Sequence, residues 1–284
     1  MAKYTDKNLY IEPRLVNKLD LYISRIKKKF DNVVLIDGAE GFGKSTLCAT
    51  CCYYIAWKFG GVFNVDNIFF ETDKMMEYAI NNDLKIIDWD EAALSGLASD
   101  WQTKFQRQLL KMFYTARKKR HFYFICIPKF YKLKEEIIDR AVGMIRVYSR
   151  DRVTRGTFVY YNKNSMDKLY EEYRRTKKIQ YKKYSRYPGC FHGMFTDNMD
   201  QVIDIEAYEK KKDAGIASIL EDKKKEIDKK LITIQYKISK VKSLTKAQLA
   251  KEMGISYETL CHWQNLPQKY PFLLEERGFQ GMKG

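Results

Sequence analysis

Residues 32–45 read NVVLIDGAEGFGKS, and they decide how the rest of the chain is read. NVVLID is a short β-branched run of the kind that fills a strand buried on both faces. It stops at Gly38, and Gly38-Ala39-Glu40-Gly41-Phe42-Gly43-Lys44-Ser45 satisfies the pattern G-x-x-x-x-G-K-[ST]. The residue types follow from the chemistry of holding phosphate. Glycines let the backbone wrap so that successive N–H groups face an anion, and the helix that follows adds the positive end of its dipole. Lys44 would reach the β- and γ-phosphates of ATP, and the Ser45 hydroxyl would bind Mg²⁺. Gly38, Gly41, Phe42, Gly43 and Thr46 complete the expected nucleotide-contacting set. At this chain's own residue frequencies the pattern would arise by accident about once in a hundred chains of this length.

Working outward, residues 13–30 carry Leu15, Leu19, Ile23 and Ile26 at helical spacing behind Pro13, and 44–59 form an apolar helix after the glycine loop. Residues 66–70, 84–89 and 121–127 read as buried strands. A helix capped by Thr72 runs to residue 80, and another spans 101–119. Strands alternating with helices imply an α/β fold, a P-loop NTPase with a mostly parallel sheet flanked by helices. Residues 144–149 and 157–161 suggest two further strands joined through Arg150-Asp151-Arg152, a hairpin at the sheet edge. Residues 165–206 have many Lys and Tyr and no clear period. The expected organisation is an ATPase domain over 1–206, a charged helical linker over 207–241, and a small all-α unit over 242–284.

A second acidic element should follow a hydrophobic strand, to hold the metal from the far side. Ile86-Ile87-Asp88-Trp89-Asp90-Glu91 supplies it. Alternation puts Asp88 and Asp90 on one face. Asp90 is the favoured metal-side carboxylate because Glu91 then follows directly, placed to polarise an attacking water. A small-molecule kinase needs no such base, so hydrolysis is the favoured chemistry. Arg117, Arg120 and Arg140 are candidates for an arginine supplied to the γ-phosphate by a neighbouring subunit, with Arg117 preferred.

The order of parts resembles the FtsK–HerA group of P-loop ATPases, particularly the zonular-occludens-toxin-like ATPases of phages. The likeness rests on the P-loop, Asp90-Glu91, Ala116-Arg117-Lys118-Lys119-Arg120-His121, Pro128-Lys129-Phe130, Asp139-Arg140-Ala141 and Leu169-Tyr170-Glu171-Glu172-Tyr173, over roughly residues 30–175. It implies a homo-oligomeric ring that moves DNA with ATP, as in genome packaging, conjugation or virion assembly. That group commonly carries a polar sensor where this chain reads Cys126-Ile127-Pro128, and its toxin-like members often have a membrane span that is not found here.

Composition agrees with a folded, nucleic-acid-facing protein. At 45% hydrophobic and 31% charged, 284 residues can bury a sizeable core, which excludes wholesale disorder. The net charge is +16, and residues 101–190 hold the surplus, with 24 basic against 7 acidic side chains. Arg150, Arg152 and Arg155 in the hairpin are the expected phosphate contacts of double-stranded DNA. Tyrosines at 160, 161, 170, 173, 181, 184 and 187 offer rings for base stacking. Residues 243–263 resemble a helix-turn-helix: Ala250 at the crossing, Gly254 in the turn, Ser256 as a cap, and Tyr257, Glu258, Thr259 and His262 toward the major groove. Six cysteines are too few for a disulfide scaffold, and Cys190, His192, Cys261 and His262 lack the spacing of a structural zinc set. No signal peptide precedes the first helix, so a cytoplasmic location is expected. The leading expectation is an ATP-hydrolysing DNA motor of a phage, virus or mobile element. The rival is a DNA-binding regulator or a transposition or replication helper in which ATP only switches assembly.

Overall fold

The computed structural model describes residues 7, 9–90, 99–240 and 245–264. The chain divides into two compact units, Met1–Asp213 and Ala214–Gly284.

The first unit is built on a seven-stranded sheet of order β2-β3-β4-β1-β5-β6-β7. Its strands are β1 (Asn32–Asp37), β2 (Ile68–Phe69), β3 (Ile86–Asp90), β4 (Phe122–Ile127), β5 (Ala141–Tyr148), β6 (Thr157–Asn162) and β7 (Phe191–Met194). The first five run parallel, and β6 and β7 add antiparallel at one side. β1 sits between β4 and β5 and every residue of it is buried, which is why NVVLID shows no polar alternation.

Helices α1 (Pro13–Lys27) and α2 (Lys44–Lys58) cover one face. Pro13 opens α1, where its missing N–H costs nothing. Leu15, Leu19, Tyr22, Ile23 and Ile26 then bury one stripe against α2 and the sheet residues Val34, Ile36, Phe124 and Cys126. At about 1.5–3 kcal/mol for each large apolar side chain, that stripe fixes α1 far more firmly than helix propensity could. Helices α4 (Ser99–Thr115) and α6 (Lys163–Thr176) lie on the other face, where Phe113 meets Tyr123 edge-on and the Tyr170 hydroxyl donates to Leu133 O.

Several expectations change. The 144–161 hairpin is not at the sheet edge, because β7 pairs on its outer side. Thr72 is the first residue of α3 (Thr72–Asn81) and not its cap; Glu71 holds that position. Much of the unreadable stretch is regular: α6, α7 (Tyr181–Tyr184) and β7, followed by α8 (Ile205–Lys240). Four of the seven interleaved tyrosines offer no ring face for stacking. Tyr160, Tyr161, Tyr170 and Tyr184 are buried, as their ring area favours wherever the hydroxyl finds a partner.

In the second unit α9 (Lys246–Glu252) opens with a reciprocal cap between Thr245 and Gln248. Gly254 turns the chain at φ 65°, and α10 (Tyr257–Gln264) begins with the Thr259 N–H donating to Ser256 Oγ. Leu249, Ala250 and Leu260 make its small core, with Met253, Ile255 and Trp263 packed against them.

Candidate nucleotide site

Parallel strands bring β1, β3, β4 and β5 to one end of the sheet, so the loop after Asp37 and the carboxylate of Asp90 meet there. The loop's path depends on its glycines. A Cβ on Gly38 would stand 2.4 Å from the Val147 carbonyl oxygen, so the backbone lies against β5 in a way no side chain permits. Gly43 precedes α2 at φ 91°, a left-handed conformation that costs glycine little. α2 has no side-chain cap and no acid in its first turn. The N–H groups of Lys44, Ser45 and Thr46 therefore remain available to an outside acceptor, backed by roughly half a positive charge from the helix dipole. Gly41 is exposed at the loop tip, Phe42 packs half-buried on the core, and the Lys44 ammonium donates to Ala39 O at 3.0 Å.

The two acids of β3 have different surroundings. Asp88 is fully buried and accepts from Cys48 Sγ at 2.9 Å, with Cys126 also beside it. Burial first, and then the neighbouring Asp90, push its carboxyl well above the usual range. The thiols of Cys48, Cys51, Cys52 and Cys126 are also pushed up by burial, Cys52 to about 12. Asp90 instead turns to the loop. Its Oδ2 accepts from the Tyr208 hydroxyl at 2.7 Å, and the Ser45 side chain lies beside that same hydroxyl. Ser45 and Asp90 thus both neighbour the Tyr208 hydroxyl. Glu91 lies outside the described residues.

Below the loop, Asp37 is a buried carboxylate in a closed network. Arg146, its register partner on β5, is ion-paired to Oδ2; Tyr181 donates to the same oxygen at 2.9 Å, and the Phe130 N–H donates to Oδ1 at 3.1 Å. The Arg146 guanidinium stacks 3.5 Å from the centre of the Tyr181 ring. Burial still leaves the Asp37 carboxyl raised, against the pull of Arg146. Removing one partner of such a pair costs about 3–5 kcal/mol, so the network pins the strand end from which the loop departs.

The arginines fall at two ends. Arg117 sits exposed on the 3₁₀ turn Arg117–Lys119 just before β4, at the end of the sheet away from Lys44, and Arg120 follows it. Arg140, also at that end, is ion-paired to Asp31 and lies over the Phe113 ring. The hairpin tip after β5 is at the loop end. Asp151 organises it, accepting from the Val153 and Thr154 N–H groups and from the Ser149 and Thr154 hydroxyls, which hold its carboxyl well below the usual range. Arg150 and Arg152 are exposed there. Arg155 lies 3.9 Å from Asp197, whose Oδ1 would be 3.1 Å from a Cβ on Gly43. In the second unit Tyr257 and His262 are exposed, whereas Thr259 is half-buried with its hydroxyl bonded to Ser256.

Sequence reasoning missed Tyr208 and Asp37, and it read Arg146 and Tyr181 as part of the nucleic-acid surface where the structure pairs them with Asp37. Asp37 carried a signal, an acid closing an otherwise apolar strand directly before the loop. Tyr208 carried none, since 118 residues separate it from Asp90.

No family model and no curated protein matches this chain. Among solved structures, the genome packaging NTPase B204 from Sulfolobus turreted icosahedral virus 2, in complex with ATP-gammaS, is similar to it. The match covers 48% of this chain and 94% of that one, at 15% identity and a TM-score of 0.32. At that level of likeness the functional reading rests on the site's own geometry. No helix among the described residues is long and apolar enough to cross a membrane.

Proposed function

We propose that this chain is a Mg²⁺-dependent P-loop ATPase that works on nucleic acid, as a ring-forming motor on double-stranded DNA. The observation that carries the ATPase reading is the convergence of the glycine loop, the uncapped start of α2 and the Ser45–Asp90 pair at one end of the sheet. In this reading the N–H groups of 41–46 cradle the phosphates and Lys44 neutralises the terminal ones. Ser45 and Asp90 would hold Mg²⁺; their oxygens suit a hard cation that takes few protein ligands. Held there, the ion would supply Lewis-acid stabilisation of the charge that develops on the phosphate. Glu91 orients and deprotonates the attacking water, and Arg117 of a neighbouring copy supplies positive charge to the transition state. The exposed Arg150 and Arg152, with Arg155, and the α9–α10 unit through Tyr257, Thr259 and His262, are the assigned DNA contacts.

Steady-state ATPase with and without double-stranded DNA, at two salt concentrations, tests this. Several-fold stimulation that fades with salt is expected of a motor. Lys44→Ala should abolish nucleotide binding or turnover, and Glu91→Gln should keep binding and lose hydrolysis. Unimpaired turnover in both variants overturns the mechanism. ATP binding without DNA stimulation moves the reading to an ATP-switched DNA-binding protein.

A further inference from the structure

Among the described residues, Tyr208 donates to Asp90 and lies beside Ser45, and it comes from a different element. Asp204 starts α8, accepting the Ala207 N–H through Oδ1 and the Tyr208 N–H through its carbonyl. That turn directs the ring inward, where it is 3% exposed and meets Phe70 edge-on with ring centres 5.5 Å apart. A phenol keeps its proton at neutral pH. Its hydroxyl donates to Asp90 Oδ2, with the Ser45 side chain beside it.

Mg²⁺ binds oxygens at about 2.0–2.1 Å in an octahedron, which spaces neighbouring ligand oxygens about 2.9 Å apart. The Tyr208 oxygen lies 2.7 Å from Asp90 Oδ2, an ordinary hydrogen-bond distance, and its proton covers a lone pair that a cation would use. A neutral phenol competes poorly with water and phosphate oxygens for Mg²⁺. With two side-chain torsions and a buried ring, it cannot step aside without moving the turn that carries it.

We propose that Tyr208 is a positioning residue that keeps the metal seat closed: the cation must displace its hydroxyl from Ser45 and Asp90, and this loosens the first turns of α8. The inference rests on the ATPase reading and adds to it a link between metal occupancy and α8.

The test uses the full chain, with Mg²⁺ titrated at fixed AMP-PNP and binding followed by equilibrium dialysis. Tyr208→Phe keeps the ring and removes the hydroxyl. A hydrogen bond to a charged group contributes about a factor of ten or more, so Tyr208→Phe should reach half-saturation at about tenfold less Mg²⁺. Its affinity for AMP-PNP without Mg²⁺ should be unchanged, which a general packing defect would not leave intact. A Mg²⁺ requirement that is equal or higher overturns the proposal. The wild-type chain gives a second readout that does not depend on the variant folding. Amide hydrogen exchange over residues 205–212 should quicken when Mg·AMP-PNP is added to the nucleotide-free protein. Slower exchange there, as expected if the hydroxyl becomes a ligand, or no change, overturns it too. Folded wild-type protein that binds no Mg·AMP-PNP overturns the ATPase reading and this inference together, whereas normal binding with an unchanged Tyr208→Phe profile overturns this inference alone.

Discussion

Asp88 and Asp90 are chemically identical and two residues apart, and the fold separates them completely. Asp88 points among thiols, where burial keeps its carboxyl raised, and Cys48 donates to it. Asp90 faces Ser45 through Tyr208. Alternation along β3 could say only that they share a face, because the choice depends on what α2 and α8 bring against that face. The difference predicts opposite results for one substitution. Asn at 88 keeps an oxygen to accept from Cys48 and adds no charge, so Asp88→Asn should change stability by less than about 1 kcal/mol and leave Mg²⁺-dependent nucleotide binding in place. Asp90→Asn removes the charge from the metal seat and should weaken that binding at least about tenfold, while binding without Mg²⁺ is retained. Thermal unfolding paired with nucleotide titrations with and without Mg²⁺ separates the two. Equal losses in both variants would mean that β3 presents no distinct metal-side acid.

At the scale of elements, what could be read from sequence was what local pattern encodes. β1 appeared as an unbroken apolar run because it has strands on both sides, and α1 as a stripe because one face meets the core. The 165–206 stretch gave no period for equally physical reasons. β7 is four residues long, α7 is four, and Tyr170 of α6 and Tyr181 of α7 turn inward, bonding Leu133 O and Asp37 across long sequence distances. Missing β7 misplaced the hairpin at the sheet edge. Its tip nevertheless lies at the end of the sheet where the glycine loop is, with a backbone already fixed by Asp151. Arg150 and Arg152 therefore project from an ordered turn. If they contact phosphates, each releases about one counterion, and the double variant Arg150→Ala/Arg152→Ala should flatten the slope of log affinity against log salt by about 2. Fluorescence anisotropy with a labelled duplex across a salt series measures it. A slope identical to the wild type would remove the hairpin from the DNA surface.

Across the first unit as a whole, part of the positive surplus is answered internally. Arg140, Arg146, Lys163, Arg174 and Lys183 pair with Asp31, Asp37, Asp167, Glu135 and Glu172. In the basic turn Arg117–Lys119, at the opposite end of the sheet from Lys44, Lys119 pairs with Asp83 while Arg117 and Lys118 are exposed. The strands run about 3.3 Å per residue, so a six-residue strand alone puts close to 20 Å between the ends, well beyond an arginine's reach. Arg117 therefore cannot serve the nucleotide of its own chain. A catalytic role for it requires a second copy, and that requirement can be tested by mixing. Arg117→Ala alone and Lys44→Ala alone should each be inactive, the first with nucleotide binding intact. Mixed before assembly, they form some interfaces with an intact Lys44 on one side and an intact Arg117 on the other. ATPase should then return to a fraction of wild type that depends on the mixing ratio. Recovery at no ratio, alongside wild-type turnover by Arg117→Ala, would exclude Arg117. Loss of turnover without recovery would assign it a structural part in holding the N-terminal ends of the strands.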